Sequence, residues 1–416
     1  MCNEFTFHGV GQGLFYSGFL YSKKYNFIYD CGTFDNCRKA VKKETIQNEI
    51  INKKFDNVEL DFIAISHLHE DHVNLLPSMI KKLKKYGKIY LPYFPNNLIN
   101  TFKSYLAISD IMPDSDVYQL LHVLYGINLE SQSENGEYQQ YISRVQLIRS
   151  EFSQNPIDIP DYSFTIPSDL TMEYEGEKFS YRPNWIFKFY NKIASINILN
   201  NIEEAIKQQI NNTSSKNLED YINNNGIDEL KKIYEYNLGY NHNITSLILI
   251  HYPENGPATL LTGDAEFDNT LESRILAGIS DKNKQKCSDL KVFQIPHHGS
   301  TKNWNLITGD WKYFPDKLVC SFGWPNSHGH PSSIFYTKLK NEKLLEQGKK
   351  TFDINQLTWV YRDNSLCDDE KEHFFKYIIL SKGDYLHNIF LDWLFFYERI
   401  DDDKILILYN KKLSNI

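Results

Sequence analysis

Residues 67–72 read HLHEDH, three imidazoles and two carboxyls in six positions of a chain with 13 histidines among 416 residues. Two imidazoles one residue apart on a loop can converge on a single cation, because the side chain between them points away. An Asp and a His directly after them can serve a second cation. His67 and His69 are therefore expected on one metal, and Asp71 and His72 on another. Neutral imidazole with carboxylate suits zinc, with manganese or iron as competitors. Three further runs end in residues of the same kind. ATLLTGDAE carries Asp264, VFQIPHHGST carries His297 and His298, and VCSFGWPNSHGHP carries Asn326, His328 and His330. An Asp at a strand end is by itself most often a turn or cap residue. Repeated His-rich strand ends in one chain are not explained that way.

Such residues need rigid elements beneath them. DFIAIS, before the motif, reads as a buried strand, and GLFYSGFLYS with KYNFIYDCG reads as a hairpin. RKAVKKETIQNEIINKKF and NLLPSMIKKLKKYG read as helices, and KIYLPYF as a strand. TSLILIHY, ATLLTGD, LKVFQIPHH and KLVCSFG add four strands, so strand and helix alternate in the manner of an α/β domain. Residues 98–239 are more polar. They are expected to form two helical groups around a small β patch, FTIPSDLTMEYEGEKFSY, as a mostly helical insertion. This divides the chain into a catalytic domain over 1–97 and 240–345, an insertion over 98–239, and a C-terminal extension of unknown role over 346–416.

Composition bounds the function. Hydrophobic residues make up 41% and aromatic residues 14%, enough for a sizeable core, and the net charge of -8 argues against a generic phosphate-backbone binder. The basic run IKKLKKYGK at 80–88 reads as a solvated helix face, with guidance of a phosphate backbone as the alternative. The six cysteines include no CxxC pair, so neither a disulfide framework nor a zinc ribbon is expected. Neither a signal peptide nor an apolar run of membrane-spanning length is read, so the expected location is the cytoplasm, with no membrane partner.

DCG at 30–32, HLHEDH, TGDAE at 262–266, PHHGS at 296–300 and SFGWPNSHGHPS at 321–332 occur in an order that resembles the metallo-β-lactamase superfamily. More narrowly, they resemble the metallo-hydrolase domain of the DNA-uptake protein ComEC and its stand-alone soluble relatives. That branch also carries a GQG, here at 11–13, and an N-x-x-S-hydrophobic strand, here at 243–250. The resemblance covers residues 1–95 and about 240–340. It implies an αββα sandwich with its active site at one edge. His67 and His69 would hold the first metal, Asp71 and His72 the second, and Asp264 would bridge them. One of His297 and His298 would complete the second site, with His297 favoured, and Asp30 would steady the loop from behind. The branch often has Asp where His69 stands. The superfamily also expects one more histidine before the TGD strand; His122, His242 and His251 lie in that interval, with His242 the best placed.

The expected chemistry is hydrolysis with two divalent metal ions, Zn²⁺ or alternatively Mn²⁺, which polarise the substrate and activate water. Asp71 would orient the water, and His330 or His298 would protonate the leaving group. The expected substrate is DNA, RNA or a nucleotide, making the chain a phosphodiesterase or nuclease. The alternative is an ester, thioester or lactam hydrolase on the same scaffold. From the resemblance alone, an effector in an anti-phage system is a further expectation, with an ATPase as protein partner through residues 98–239.

Overall fold

The computed structural model of the chain describes residues 3–34, 47–127, 139–149, 160–275, 290–303 and 317–323, with short breaks inside some of these ranges, and the backbone of five strands between 357 and 407. Two mixed sheets carry the chain. The first has nine strands, in the order Glu398–Asp401, Lys404–Ile407, Asp384–Ile389, Asn3–Phe7, Phe15–Leu20, Tyr25–Cys31, Glu59–Ala64, Lys85–Pro92 and Val145–Ile148. The expected hairpin is present, and from Tyr25–Cys31 onward the strands run parallel. The second sheet has eight strands, in the order Ile379–Lys382, Leu357–Arg362, Lys317–Gly323, Leu290–Gln294, Ala258–Leu261, Thr245–Pro253, Trp185–Ile193 and Tyr162–Ile166. Its first five strands in that order are parallel to one another.

Side-chain alternation along these strands builds the layers. Phe27 and Tyr29 point between the sheets while Ile28 points outward, and Phe62 and Ala64 alternate in the same way with Ile63 and Ile65. The inner set meets Phe187, Phe189, Leu247, Leu249, Leu261 and Val292 of the second sheet. Phe62 lies 4.9 Å from Phe27 and 5.2 Å from Phe187, ring centroid to ring centroid. Each such pair contributes about 0.5–1.5 kcal/mol beyond its burial, so much of the aromatic content is used between the sheets. The outer set of the first sheet is covered by the helical segment Gln47–Phe55 and the helices Leu76–Lys82, Ile99–Ile108, Asp116–Leu124 and Ile196–Asn212. The fold class is therefore the expected α/β sandwich.

Residues 98–239 hold two helical groups around a β patch and also lend strands to both sheets. Val145–Ile148 extends the first sheet, and Trp185–Ile193 with Tyr162–Ile166 extends the second. The 346–416 stretch supplies strands to both sheets and pairs Asp384–Ile389 with Asn3–Phe7. The helix of the basic run stops at Lys82, and Lys85–Pro92 is a strand. Pairing over long sequence distances decides these points, and local pattern does not contain it.

Candidate metal centre

The parallel strands deliver their chemistry at their C-terminal ends, as open α/β sheets generally do. Asp30 ends Tyr25–Cys31, Ser66 and His67 follow Glu59–Ala64, Asp264 follows Ala258–Leu261, and His297 with His298 follow Leu290–Gln294. Two groups of donor atoms come together: His67, His72 and Asp264, and Asp71, His72 and His298. Asp264 links them. Its Oδ2 lies 3.5 Å from Nε2 of both His67 and His297, and its Oδ1 lies 3.2 Å from His72 Nε2 and 3.8 Å from His298 Nε2. His298 Nε2 is also 3.1 Å from Asp71 Oδ2.

Four histidines are held by Nδ1 so that Nε2 faces these carboxylates. His72 Nδ1–H donates to Asp30 Oδ2 at 2.7 Å, and His67 Nδ1–H donates to Ser66 Oγ at 2.9 Å. His298 donates to the Ser321 carbonyl and His297 to Asn303 Oδ1, each at 2.7 Å. Ser66 in turn donates its backbone N–H and its hydroxyl to Asp30, both at 2.6 Å. An acceptor behind each imidazole fixes both tautomer and ring orientation, which is how metal-binding histidines are held.

The inward atoms fit a divalent cation. Nε2 of His67 and of His72 and Oδ1 of Asp264 are buried without a hydrogen-bond partner. A buried unpaired carboxylate costs several kcal/mol unless a cation or donor meets it. Burial alone would raise the Asp264 carboxyl, but His297, His72, His67 and His298 together hold it well below the usual carboxylate range. Burial lowers His67, keeping its ring neutral, as a ligand must be. Burial also opposes charge on His72, yet Asp264, Asp71 and Asp30 push its pKa up, so this pocket favours positive charge at its centre.

The backbone is shaped to the same end. Asp30, His297 and His298 all have positive φ, 55°, 49° and 50°, an uncommon region for non-glycine residues that is concentrated at functional sites. Gln294 holds the Gly263 turn by accepting from the N–H of Thr262 and of Gly263 at 2.7 and 2.8 Å. A Cβ on Gly263, at φ 55°, would stand 2.4 Å from the Ser66 Cβ, so the TGD glycine makes room for the serine that orients His67.

Each expected site residue can now be placed. His67, Asp71, His72, Asp264, His297 and His298 come together, and Asp30 lies behind them, bonded to His72 and Ser66. His298 takes the place in the Asp71–His72 group for which His297 was favoured; His297 faces the Asp264 oxygen that His67 also faces. His69 lies in neither group. Its ring is 4.5 Å from that of His67 and 5.7 Å from that of Tyr105, and it lines the adjacent cavity. His122 and His251 are excluded as the additional histidine. The first packs on Tyr118 within the helical layer, and the second bonds to Tyr16 Oη at 2.8 Å between the sheets. His242, Asn326, His328 and His330 lie outside the described residues. The basic run is a solvated face, with Lys81 paired to Asp116 and Lys84 to Glu59.

Ser66, Gln294, Asn303 and Ser321 were not singled out from sequence. Only Ser66 and Gln294 carried a signal, as polar residues at the ends of otherwise apolar strands beside a His motif. The site opens into a cavity of about 280 Å³ lined by Gln12, Phe34, Glu70, Ser109, Lys231 and the site residues themselves. Among the described residues no helix is long and apolar enough to cross a membrane.

No family model and no curated protein matches the sequence. Among solved structures the chain is similar to the metallo-β-lactamase fold protein YhfI from Bacillus subtilis, at 9% identity and a TM-score of 0.33, over 93% of this chain and all of that one. It is also similar to ST1585, a metallo-β-lactamase superfamily protein from Sulfolobus tokodaii, at 14% identity and a TM-score of 0.24, over 64% of this chain and 65% of that one.

Proposed function

We propose that this chain is a metal-dependent hydrolase whose substrate is a phosphodiester of a nucleic acid or nucleotide. The carrying observation is the set of four imidazoles anchored by Nδ1 with Nε2 turned toward Asp264 and Asp71. In this reading His67 and His297 would hold one ion and Asp71, His72 and His298 the other, with Asp264 facing both sets. The imidazole and carboxylate donors suit Zn²⁺, with Mn²⁺ as the alternative. Divalent ions bound there would supply Lewis acidity toward the phosphoryl oxygens and an activated water.

The chain's own groups do the rest. Asp71, held as an anion by its histidine neighbours, accepts from the attacking water and orients it. His69 stands beside the first set and is no acid: burial takes its pKa down to about 4, so at neutral pH it has no imidazolium proton to give. The proton for the leaving group would come from His330 or His298, the two candidates the sequence offers, and of these His298 Nε2 lies 3.1 Å from Asp71 Oδ2. In the HHGS turn the N–H groups of His297 and Ser300 are used internally, which leaves those of His298 and Gly299 for phosphate oxygens.

Elemental analysis of the purified protein, with cleavage of labelled single- and double-stranded DNA, RNA, a p-nitrophenyl nucleotide ester and p-nitrophenyl acetate, tests the reading. Close to two metals per chain and phosphodiester cleavage lost in the His67→Ala/Asp264→Ala protein are expected. Cleavage of the acetate alone would replace the phosphodiester by a carboxylic ester. Absence of metal after reconstitution would overturn the reading altogether.

A further inference from the structure

The cavity beside the metal centre is walled on one side by residues 98–239. Helix Ile99–Ile108 ends at the turn Ser109–Asp110, whose Ser109 carbonyl accepts the backbone N–H of Glu70 at 3.0 Å, inside the HLHEDH motif itself. Helix Asp228–Leu238 packs onto that helix by burying Leu230 and Tyr234, and Tyr234 Oη shares a hydrogen bond with Ser104 Oγ at 2.9 Å. Lys231 stands three residues before Tyr234, one turn away on the same side of the helix, and reaches the cavity.

Glu70, Asp71, Asp110 and Asp264 line this cavity, and Lys231 is the one Lys or Arg among its described lining residues. Among the described residues Lys231 has no ion-pair partner, although four carboxylates share its cavity, whereas Lys103, Lys207 and Lys232 on the same helical layer are all paired. Ser109, 5% exposed and in the same wall, has a hydroxyl with no hydrogen-bond partner. Lys231 is thus the one cation on the described wall of an otherwise acidic cavity, with the buried Ser109 side chain beneath the same wall. The volume of about 280 Å³ lies at the lower end of the range for small-molecule pockets.

We propose that Lys231 forms a subsite for a second anionic group of the substrate, so that the preferred substrate is a nucleotide-sized phosphodiester carrying a further phosphate. This rests on the reading of the site as a metal-dependent phosphodiesterase. One phosphate meets the metal centre and the other meets the wall, and residues 98–239 set substrate choice by supplying that wall. A charge-assisted contact of this kind is worth on the order of ten- to a hundredfold in affinity.

The metal-loaded full chain is compared with Lys231→Gln and Lys231→Arg in two assays. Calorimetry measures binding of thymidine 5′-phosphate and thymidine 3′,5′-bisphosphate. Kinetics follow the p-nitrophenyl 5′-esters of the same two nucleotides. The wild type should prefer the bisphosphate in binding and the 3′-phosphorylated ester through a lower KM. Lys231→Gln should lose that preference through KM more than kcat, and Lys231→Arg should keep most of it. No preference in the wild type, or the same preference in Lys231→Gln, overturns the proposal while leaving any observed hydrolysis intact. Lys231-dependent preference in binding without hydrolysis of either ester would keep the subsite and sink the phosphodiesterase reading instead.

Discussion

His72 Nδ1 and Asp30 Oδ2 are 2.7 Å apart, and neither side chain has any exposed surface. The same carboxylate accepts from the Ser66 backbone and hydroxyl, so one Asp holds both the motif loop and a metal-facing imidazole. Asn at this position keeps the size but loses an acceptor, and its amide would face a donor. Asp30→Asn should lower metal affinity roughly 10- to 100-fold, the usual cost of losing the group behind a ligating histidine. Competition with a chromophoric chelator measures this, and unchanged affinity would remove Asp30 from the metal site.

Gly32 touches the motif through backbone. A Cβ there would lie 2.4 Å from the Asp71 carbonyl oxygen and 2.4 Å from the His72 nitrogen, neither of which can rotate aside. Gly32→Ala should therefore displace the loop and abolish stoichiometric metal binding. Gly226→Ala is the contrasting case. With φ 75° and open space around it, Gly226 should cost about 1 kcal/mol of stability by backbone strain alone and leave metal content unchanged. Elemental analysis and urea unfolding of both variants separate the two effects.

HLHEDH, TGD and PHHGS were legible because each is a local run at the end of an apolar strand, where type and spacing already state the chemistry. The choice between His297 and His298 was not. Both adopt left-handed backbone, so strand alternation says nothing about which ring turns toward Asp71. Asn303 and Ser321 act through space across the site, and a lone Asn or Ser has no distinctive spacing. The layers were legible wherever a strand alternates. That Val145–Ile148, with only four residues, closes the edge of the first sheet depends on a partner more than 50 positions away.

His122 makes stability depend on pH. Its ring is fully buried against Phe102 and Tyr118, neither nitrogen has a hydrogen-bond partner, and burial with Lys103 nearby takes its pKa from 6.5 down to about 3. Above about pH 6.5 the ring is neutral in both states and contributes no pH dependence. Between about 6.5 and 3 the unfolded chain binds this proton and the native chain does not. Stability is therefore lost as pH falls, at about 1.4 kcal/mol per pH unit from this group. His122→Phe should flatten that part of the profile relative to the wild type. Urea midpoints measured from pH 7.5 to 5 would show it, and parallel profiles would contradict it.

Glu203 ties the two helical groups of residues 98–239 together. It is 4% exposed, and its carboxylate accepts from the Thr101 backbone N–H at 2.7 Å, the Thr101 hydroxyl at 2.9 Å and Asn100 Nδ2 at 2.9 Å. Helix Ile99–Ile108 begins at Leu98, which offers no side-chain cap, so the carboxylate arrives from helix Ile196–Asn212 to satisfy a first-turn donor and the helix dipole. Removing it leaves the buried Thr101 backbone N–H without this acceptor, at about 1.5–3 kcal/mol for a contact to a charged group. Glu203→Ala should lower the unfolding free energy by that amount, with Glu203→Gln recovering part of it. Metal stoichiometry should not change, because the ligand-bearing strands do not depend on this contact. The same helix Ile99–Ile108 ends at Ser109, so its loosening should also raise KM for any substrate that uses the cavity wall; an unaltered KM would separate the wall from substrate binding.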